Sequence, residues 1–400
     1  WTLHQRLGAA AKQCTEAGDP QPAEVLTAWR QLVGPDNPSN FDKRLDWDGL
    51  TPAQAAWALD PPTDAVPQQL AWWPVLEHLR QAGRDAANGN RPEPLSDRSA
   101  KQPFVHIWRP AAAWALETLK VRCNHLWPRL QLAEAAWLDL GDALLERLCH
   151  TADQALWELF NQRRTPGQML LAHLGADGNG SGDPVHEAYD GFVQELLSSG
   201  YGLLLAKYPV LGRLLAVVTQ LWIEAGEEML CRLADSRSEL EQHFGISATA
   251  LVHHIQLGLS DPHRGGRAVA ILSFSERRED GEQKVVYKPK DMQVDLAYQA
   301  YLRKLNTSSS LPPLRCLTIL TRPCYGFMEW VEHQVCTSDE QLACFYTNAG
   351  RTMAVLHLLG CTDCHYENLI ASGDQLLLTD TETLLEADVK DLINDDGDDP

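Results

Sequence analysis

The chain has 400 residues, 44% hydrophobic and 22% charged, which is ordinary for a folded globular protein and enough for more than one core. Its 54 acidic and 34 basic residues give a net charge of −20. That speaks against general binding to nucleic acid or anionic membranes, which needs clustered positive charge, and leaves a basic peptide partner compatible. No apolar run reaches the length of a transmembrane segment: 203–206 and 214–218 are broken up by Lys207, Pro209 and Arg213. No signal peptide is visible, so the expectation is a cytoplasmic protein whose 10 cysteines are reduced. Cys361 and Cys364 form a C-x-x-C, but a zinc ribbon would need a second such pair and none exists. The chain begins at Trp1 rather than Met and is read as a piece of a longer protein.

Residues 1–245 read as helices joined by Pro/Gly loops, an accessory helical segment. Thr51-Pro52 has the form of an N-cap followed by proline at the first helical position. Trp72, Leu76 and Leu79 make a helical stripe, with Pro74 tolerable only near that helix's start. Leu211, Leu215, Val218 and Trp222 make another. The tryptophans here read as core and inter-helix packing rather than a ligand cage. No repeat of fixed period is found. Residues 175–184, GADGNGSGDP, imitate the start of an EF-hand loop through Asp177, Asn179, Ser181 and Gly182. The bidentate glutamate would fall on Ala188, and Glu187 misses by one, so the stretch is read as a surface loop.

After residue 246 the pattern changes. Residues 267–276 (RAVAILSFSE) and 283–290 (QKVVYKPK) are strand-like, with Asp280-Gly281 as a hairpin turn between them. A helical pattern covers 294–305, and a second strand pair is expected at 314–321 and 325–333. Residues 246–336 therefore form a β-rich, small-lobe-like part, and 337–400 the start of a larger lobe. That lobe opens on a long helix with a capping box, Ser338 with Gln341 three residues on. Leu342, Phe345, Ala349, Met353, Leu356 and Leu359 are its expected apolar face, and Gly360 its terminator. A loop (CTDCHYEN), a short strand (LLLTD) and an acidic tail (NDDGDDP) follow.

The chemistry concentrates in 360–384. Asp363 and Asn368 are five residues apart in a loop after a helix, and Asp380 ends a short apolar strand. Protein kinases use this order: a catalytic aspartate, an asparagine, and a metal-binding aspartate. A carboxylate beside the acceptor hydroxyl orients it and takes its proton. An amide oxygen and a second carboxylate hold Mg²⁺, a hard cation that prefers oxygen and offsets charge on the moving phosphoryl group. Lys288 in VVYKPK meets the need for a strand lysine. Gly265 and Gly266, in the turn SDPHRGGR, could let backbone approach a phosphate. Each feature alone has a plainer reading: a turn-forming Asp or Asn, a solvated strand lysine, an N-cap aspartate, a loop histidine at 365 bonded to backbone, a solvent-facing Glu367. Their joint order is what points to a kinase-like phosphotransferase.

Three stretches resemble the dehydratase region of class II lanthipeptide synthetases: DPHRGGR at 261–267, VVYKPKDMQVDLAYQAYLRKLN at 285–306, and TDCHYENLI with LLTDTETL within 362–384. Ordinary protein kinases carry neither Y-K-P-K nor D-x-H-x-E-N followed by D-x-E. The resemblance implies an α+β fold, a lipid-kinase-like bilobal core preceded by a large helical segment. It implies ATP and Mg²⁺ as cofactors and a leader-bound precursor peptide as partner. Ser and Thr of that peptide are phosphorylated, and phosphate is then eliminated to leave dehydroalanine or dehydrobutyrine. It implies Asp363 as the catalytic aspartate, Asn368 and Asp380 as Mg²⁺ ligands, with His365 and Glu382 supporting that centre. Lys288 would contact phosphate and also serve elimination. Asp261 and His263, with Gly265, Gly266 and Arg267, would belong to the nucleotide-side loop. In this family an Arg and a Thr further along the chain support elimination, and a zinc cyclase domain follows. The sequence stops at Pro400, before either, and carries no zinc-cyclase motif. A kinase-fold phosphotransferase acting on a small molecule or lipid is the alternative, and a non-catalytic peptide-binding module a third reading.

Overall fold

The structure, a computed structural model, describes residues 24–33, 37, 39–59, 70–90, 102–164, 184–258, 265–275, 282–308 and 311–385. The chain divides into two compact units, Trp1–Glu77 and His78–Pro400. In the first, α1 (Glu24–Val33), α2 (Ser39–Asp48) and α3 (Pro52–Leu59) enclose a small core of Leu26, Phe41, Leu45, Ala55 and Ala56. α3 starts where Thr51-Pro52 marked it, on a complete capping box. Thr51 Oγ1 accepts from the Gln54 amide at 3.2 Å, and Gln54 Oε1 accepts from the Thr51 amide at 2.9 Å. α4 (Trp73–Ala87), most of which belongs to the second unit, has Pro74 in its first turn and buries Leu76 and Leu79.

In the second unit, α5 (Val105–Cys123), α6 (Glu134–Arg163), α7 (Pro184–Ser198), α8 (Gly202–Lys207), α9 (Pro209–Asp235) and α10 (Arg237–Phe244) precede the sheet. Small residues let the long helices approach closely. Ala111, Ala112 and Ala115 of α5 are fully buried, and a Cβ at Gly226 of α9 would lie 3.0 Å from Leu119. The tryptophans divide: Trp72, Trp108 and Trp222 are buried, while Trp47 and Trp127 are exposed. Trp108 stacks on buried Tyr201 at 4.8 Å, the packing role expected of it. Among the described residues no helix is long and apolar enough to cross a membrane.

The fold is α+β. Five antiparallel strands follow the helices: β1 (Leu251–Gln256), β2 (Ala270–Ser275), β3 (Glu282–Lys288), β4 (Ile319–Arg322) and β5 (Tyr325–Glu329), in the order β1-β2-β3-β5-β4. Between β3 and β4 lies α11 (Gln293–Ser308). β1 has no counterpart in the sequence reading. Its two histidines hide a strand whose inward residues, Val252 and Ile255, are fully buried. The strand expected at 314–321 starts only at Ile319. Before it, Leu314 and Leu317 are buried, but their amides are taken by α11 side chains: Asn306 Oδ1 at 2.9 Å and Gln299 Oε1 at 2.8 Å. Bonds that a neighbouring strand would have made are made by helix side chains. The Asp280-Gly281 turn, the loop at 175–183 and the tail after 385 lie outside the described residues.

Both faces of the sheet are covered, by different partners. Tyr287, Phe327 and Tyr325 lie on the face toward α9, where Arg232 donates to Tyr287 Oη at 2.8 Å and sits 4.8 Å over the Tyr325 ring. On the other face Ile271, Val286, Ile319 and Met328 form one apolar cluster with Met292, Leu317 and Leu377. Leu377 belongs to β7 (Gln375–Leu378), which with β6 (Leu369–Ser372) makes a separate two-stranded hairpin. Alternation along β3 thus sends Tyr287 to one side and Lys288 to the other, toward the hairpin.

α12 (Asp339–Leu358) begins at the expected cap: Ser338 Oγ accepts from the Gln341 amide, while Gln341 Oε1 turns to Thr337 rather than Ser338. Gly360, at φ 63°, ends it. The expected apolar face holds only in part: Leu356 is buried and Phe345, Ala349 and Leu359 are half-buried. Leu342 and Met353 are exposed, and the buried stripe is Asn348, Thr352 and Leu356. The reason is the hairpin: Asn348 Nδ2 donates to Asp374 O and Thr352 Oγ1 to Leu376 O, so polar side chains dock this helix.

Gly326 pairs with Lys288 across β5 and β3, and a Cβ there would lie 2.5 Å from Met292 Sδ and 2.6 Å from Leu320 O. Gly326→Ala is therefore expected to destabilise the protein by about 1–3 kcal/mol, the usual cost of overpacking. Urea denaturation measures it, and an unchanged midpoint would refute the crowding.

Candidate active site

The lysine strand and the hairpin are tied at one point. Lys288, 5% exposed at the end of β3, donates from Nζ to Thr379 O and lies 3.8 Å from Asp295 Oδ1 in the first turn of α11. The plain reading of a solvated strand lysine does not apply. Burial lowers the Lys288 pKa and raises that of Asp295, while the charge of each pulls the other back. Two residues on, Lys290 Nζ donates to Asp380 Oδ1 at 2.6 Å and lies 3.7 Å from Glu382 Oε1. Burial by itself would raise the Asp380 carboxyl, but Lys288, Lys290 and the Glu382 amide outweigh it and hold the pKa below the ordinary value.

The loop after α12 carries the other half. Residue 379 pairs back to 368: the Thr379 amide donates to Asn368 O at 2.9 Å, and Leu369 faces Leu378 in the hairpin register. That pairing sets Asn368 beside Asp380 at the open end of the hairpin. Asn368 Nδ2 donates to Asp363 Oδ2 at 3.0 Å and to Asp363 O at 3.1 Å. The Glu367 amide donates to His365 Nδ1 at 3.2 Å, which leaves the proton on Nε2, 3.1 Å from Asp363 Oδ1. His365 is thus bonded to backbone and to the carboxylate at once. Thr383 Oγ1 accepts from the Asp363 amide at 3.2 Å. Asp363 remains about half exposed.

The structure thus gathers Lys288, Asp380 and Glu382 around Lys290, and Asp363, His365 and Asn368 in the loop, and joins the two groups through the Asn368–Thr379 backbone pair. Gly265, Gly266 and Arg267 do not join them. They lie against α9, where Arg267 forks onto Glu228 and a Cβ on Gly266 (φ 87°) would come within 3.0 Å of Leu221. Their close backbone approach is to a helix. Asp261 and His263 lie outside the described residues. Three further residues belong to the site. Lys290 was signalled only by standing two residues past Lys288, where the strand has ended and the chain bends. Asp295 and Thr383 had no such signal.

The donors that Asn368, Asp380 and Glu382 offer are an amide oxygen and two carboxylates, the hard-oxygen set that suits Mg²⁺. Asn368 directs its Nδ2 at Asp363, so its Oδ1 is the atom left for a cation. The Lys290 ammonium, between Asp380 and Glu382, shows where positive charge is favoured. Among the described residues no group of three His, Cys, Asp or Glu side chains makes a metal cage, so a cation would need additional oxygens from a bound phosphate or water.

Comparison with known proteins takes in this region. Residues 208–399, from α9 onward, match a family described as a domain of unknown function, DUF4135. The chain is 22% identical over 277 residues, 64% of its length, to the lacticin 481/lactococcin biosynthesis protein LcnDR2 of Lactococcus lactis subsp. lactis. It spans 27% of that relative's length.

Proposed function

We propose that this chain, a relative of the class II lanthipeptide synthetases with a DUF4135 domain at 208–399, is the phosphoryl-transfer part of a lanthipeptide dehydratase. The reaction is ATP- and Mg²⁺-dependent phosphorylation of Ser and Thr in a leader-bound precursor peptide, followed by phosphate elimination. In the same reading the five-stranded sheet is the small lobe of a kinase-like core, and α12 with the β6–β7 hairpin begins the large one. The observation that carries it is that Lys288 reaches about ninety residues along the chain to Thr379 O and the charge of Asp380, on the hairpin whose preceding loop holds Asp363 bonded to Asn368 and His365.

Asp363 accepts the proton of the substrate hydroxyl as its oxygen attacks phosphorus. His365, through Nε2–H, and Asn368, through Nδ2–H, fix that carboxylate's orientation. Asn368 Oδ1, Asp380 and Glu382 would hold Mg²⁺, which when bound offsets phosphate charge. Lys288 places one ammonium at the phosphates, and buried Asp295 keeps it charged and in place. In elimination Lys288 is the phosphate-facing group.

The test uses the intact synthetase with ATP, Mg²⁺ and the peptide encoded next to its gene, read by peptide mass. Loss of one water per modified residue supports the reading, and phosphate accumulation with Lys288→Ala separates the two half-reactions. ATP consumed with an unchanged peptide would instead point to a small-molecule phosphotransferase. No ATP turnover by folded protein would point to a binding module.

Lys290 competes with the cation for Asp380. A charge-assisted hydrogen bond contributes about 1.5–3 kcal/mol. Lys290→Met should therefore raise Mg²⁺ affinity of the nucleotide-free protein about tenfold or more. Calorimetric titration with MgCl₂ reads this directly, and an unchanged affinity would place the cation elsewhere.

A further inference from the structure

Cys361 and Cys364 flank Asp363 in the loop after α12, and the phosphoryl-transfer chemistry uses neither. Their sulfurs lie 3.0 Å apart, and both are free thiols, Cys364 exposed and Cys361 half-buried. Cys361 is anchored by its amide to Leu356 O at 3.0 Å, at the end of the helix. Thr383 Oγ1 lies 3.5 Å from Cys361 Sγ and is the acceptor of the Asp363 amide. One hydroxyl thus touches a cysteine and holds the backbone of the aspartate. The lack of a metal cage among the described residues separates the pair from a structural zinc site.

We infer that Cys361 and Cys364 are a reversible dithiol–disulfide site that moves Asp363 in and out of its working position. The inference rests on the reading of Asp363 given above. A thiolate of one cysteine attacks oxidised glutathione, forming a mixed disulfide and releasing one glutathione. The second cysteine's thiolate then displaces the other glutathione. The protein loses two protons and two electrons, gains one S–S bond, and one glutathione disulfide becomes two thiols. A disulfide is about 2.05 Å long, so the sulfurs must close by about 1 Å. The ring so formed contains only Thr362 and Asp363 between its cysteines, so the strain falls on Asp363 and on its bond to Thr383. A misplacement of about 1 Å costs a reacting group about 10²-fold in rate.

Burial, the Cys361 contact and the nearby Asp363 charge push the Cys364 thiol up. A reduced pair that is not stabilised as thiolate favours the disulfide at equilibrium, the reverse of strongly oxidising dithiols, and makes its formation slow.

The experiment equilibrates the intact protein in glutathione buffers of graded potential, blocks free thiols and maps the peptides. The expected result is an intramolecular Cys361–Cys364 bond, faster hydrogen exchange at 361–368, and an approximately 10²-fold fall in ATP turnover. Dithiothreitol should reverse all three, and Cys364→Ser should abolish the response. A pair that stays reduced across the series, or a disulfide that leaves both exchange and turnover unchanged, overturns the inference. If the reduced protein turns over no ATP, the dehydratase reading fails, and bond mapping with hydrogen exchange still decides whether oxidation displaces the loop.

Discussion

Replacing Asp363 by Asn should lower peptide phosphorylation by about 10²–10⁴-fold while leaving the fold intact. The size follows from the usual contribution of a positioned general base. The intact fold follows from the surroundings: Asp363 is about half exposed, so its removal leaves no buried charge without a partner. An asparagine Oδ1 can still accept from His365 Nε2 or Asn368 Nδ2, which now bond the carboxylate at 3.1 Å and 3.0 Å. Only the ability to take a proton is lost. Peptide mass after incubation with ATP and Mg²⁺, with thermal unfolding alongside, checks both halves. Full phosphorylation by Asp363→Asn would remove Asp363 from the reaction. Loss of fold together with activity would make its role structural.

The contrast between Asp363 and its neighbours explains what the sequence disclosed. Asp363, Asn368 and Asp380 are close in sequence, and a loop followed by a short hairpin leaves few ways to arrange them. Residue types and spacing therefore carried the site. The same holds for the caps at Thr51 and Ser338, which are decided within four residues. Contributions from outside that range were hidden. Asp295 stands in the first turn of a helix, where an acidic residue already has a reason to be, namely the helix dipole. Nothing in the sequence says that it is also buried beside Lys288. The face of α12 was misjudged in part, for a related reason. Hydrophobic periodicity assumes that apolar residues face inward, yet Asn348 and Thr352 are drawn inward by carbonyls of the hairpin. The role of Gly265 and Gly266 depended on which surface approaches their backbone, and that surface, Leu221, comes from a helix more than forty residues earlier.

Buried Asp295 carries the second large expectation. Lys288 and Asp295 are 5% and 3% exposed, and their charges lie 3.8 Å apart. Taking two such charges from water is costly, and their attraction returns that cost only while both are present. Asp295→Ala leaves a buried ammonium whose hydrogen-bond acceptor is one backbone carbonyl, at Thr379, with Asp380 and, more weakly, Glu382 the remaining nearby carboxylates. The expected loss is about 3–5 kcal/mol of stability. Asp295→Asn keeps the shape and should cost less. The double variant Lys288→Met, Asp295→Leu removes both charges and fills the space with apolar groups. It should recover most of the stability, because well-packed hydrophobic residues commonly replace a buried ion pair at little cost. It should not recover peptide dehydration, because no ammonium would then face the phosphate from β3 in elimination. Urea denaturation of the four proteins, each assayed by peptide mass for dehydration, separates the two roles. Stability unchanged by Asp295→Ala would mean that the pair holds nothing together. Activity restored in the double variant would mean that Lys288 serves the fold alone.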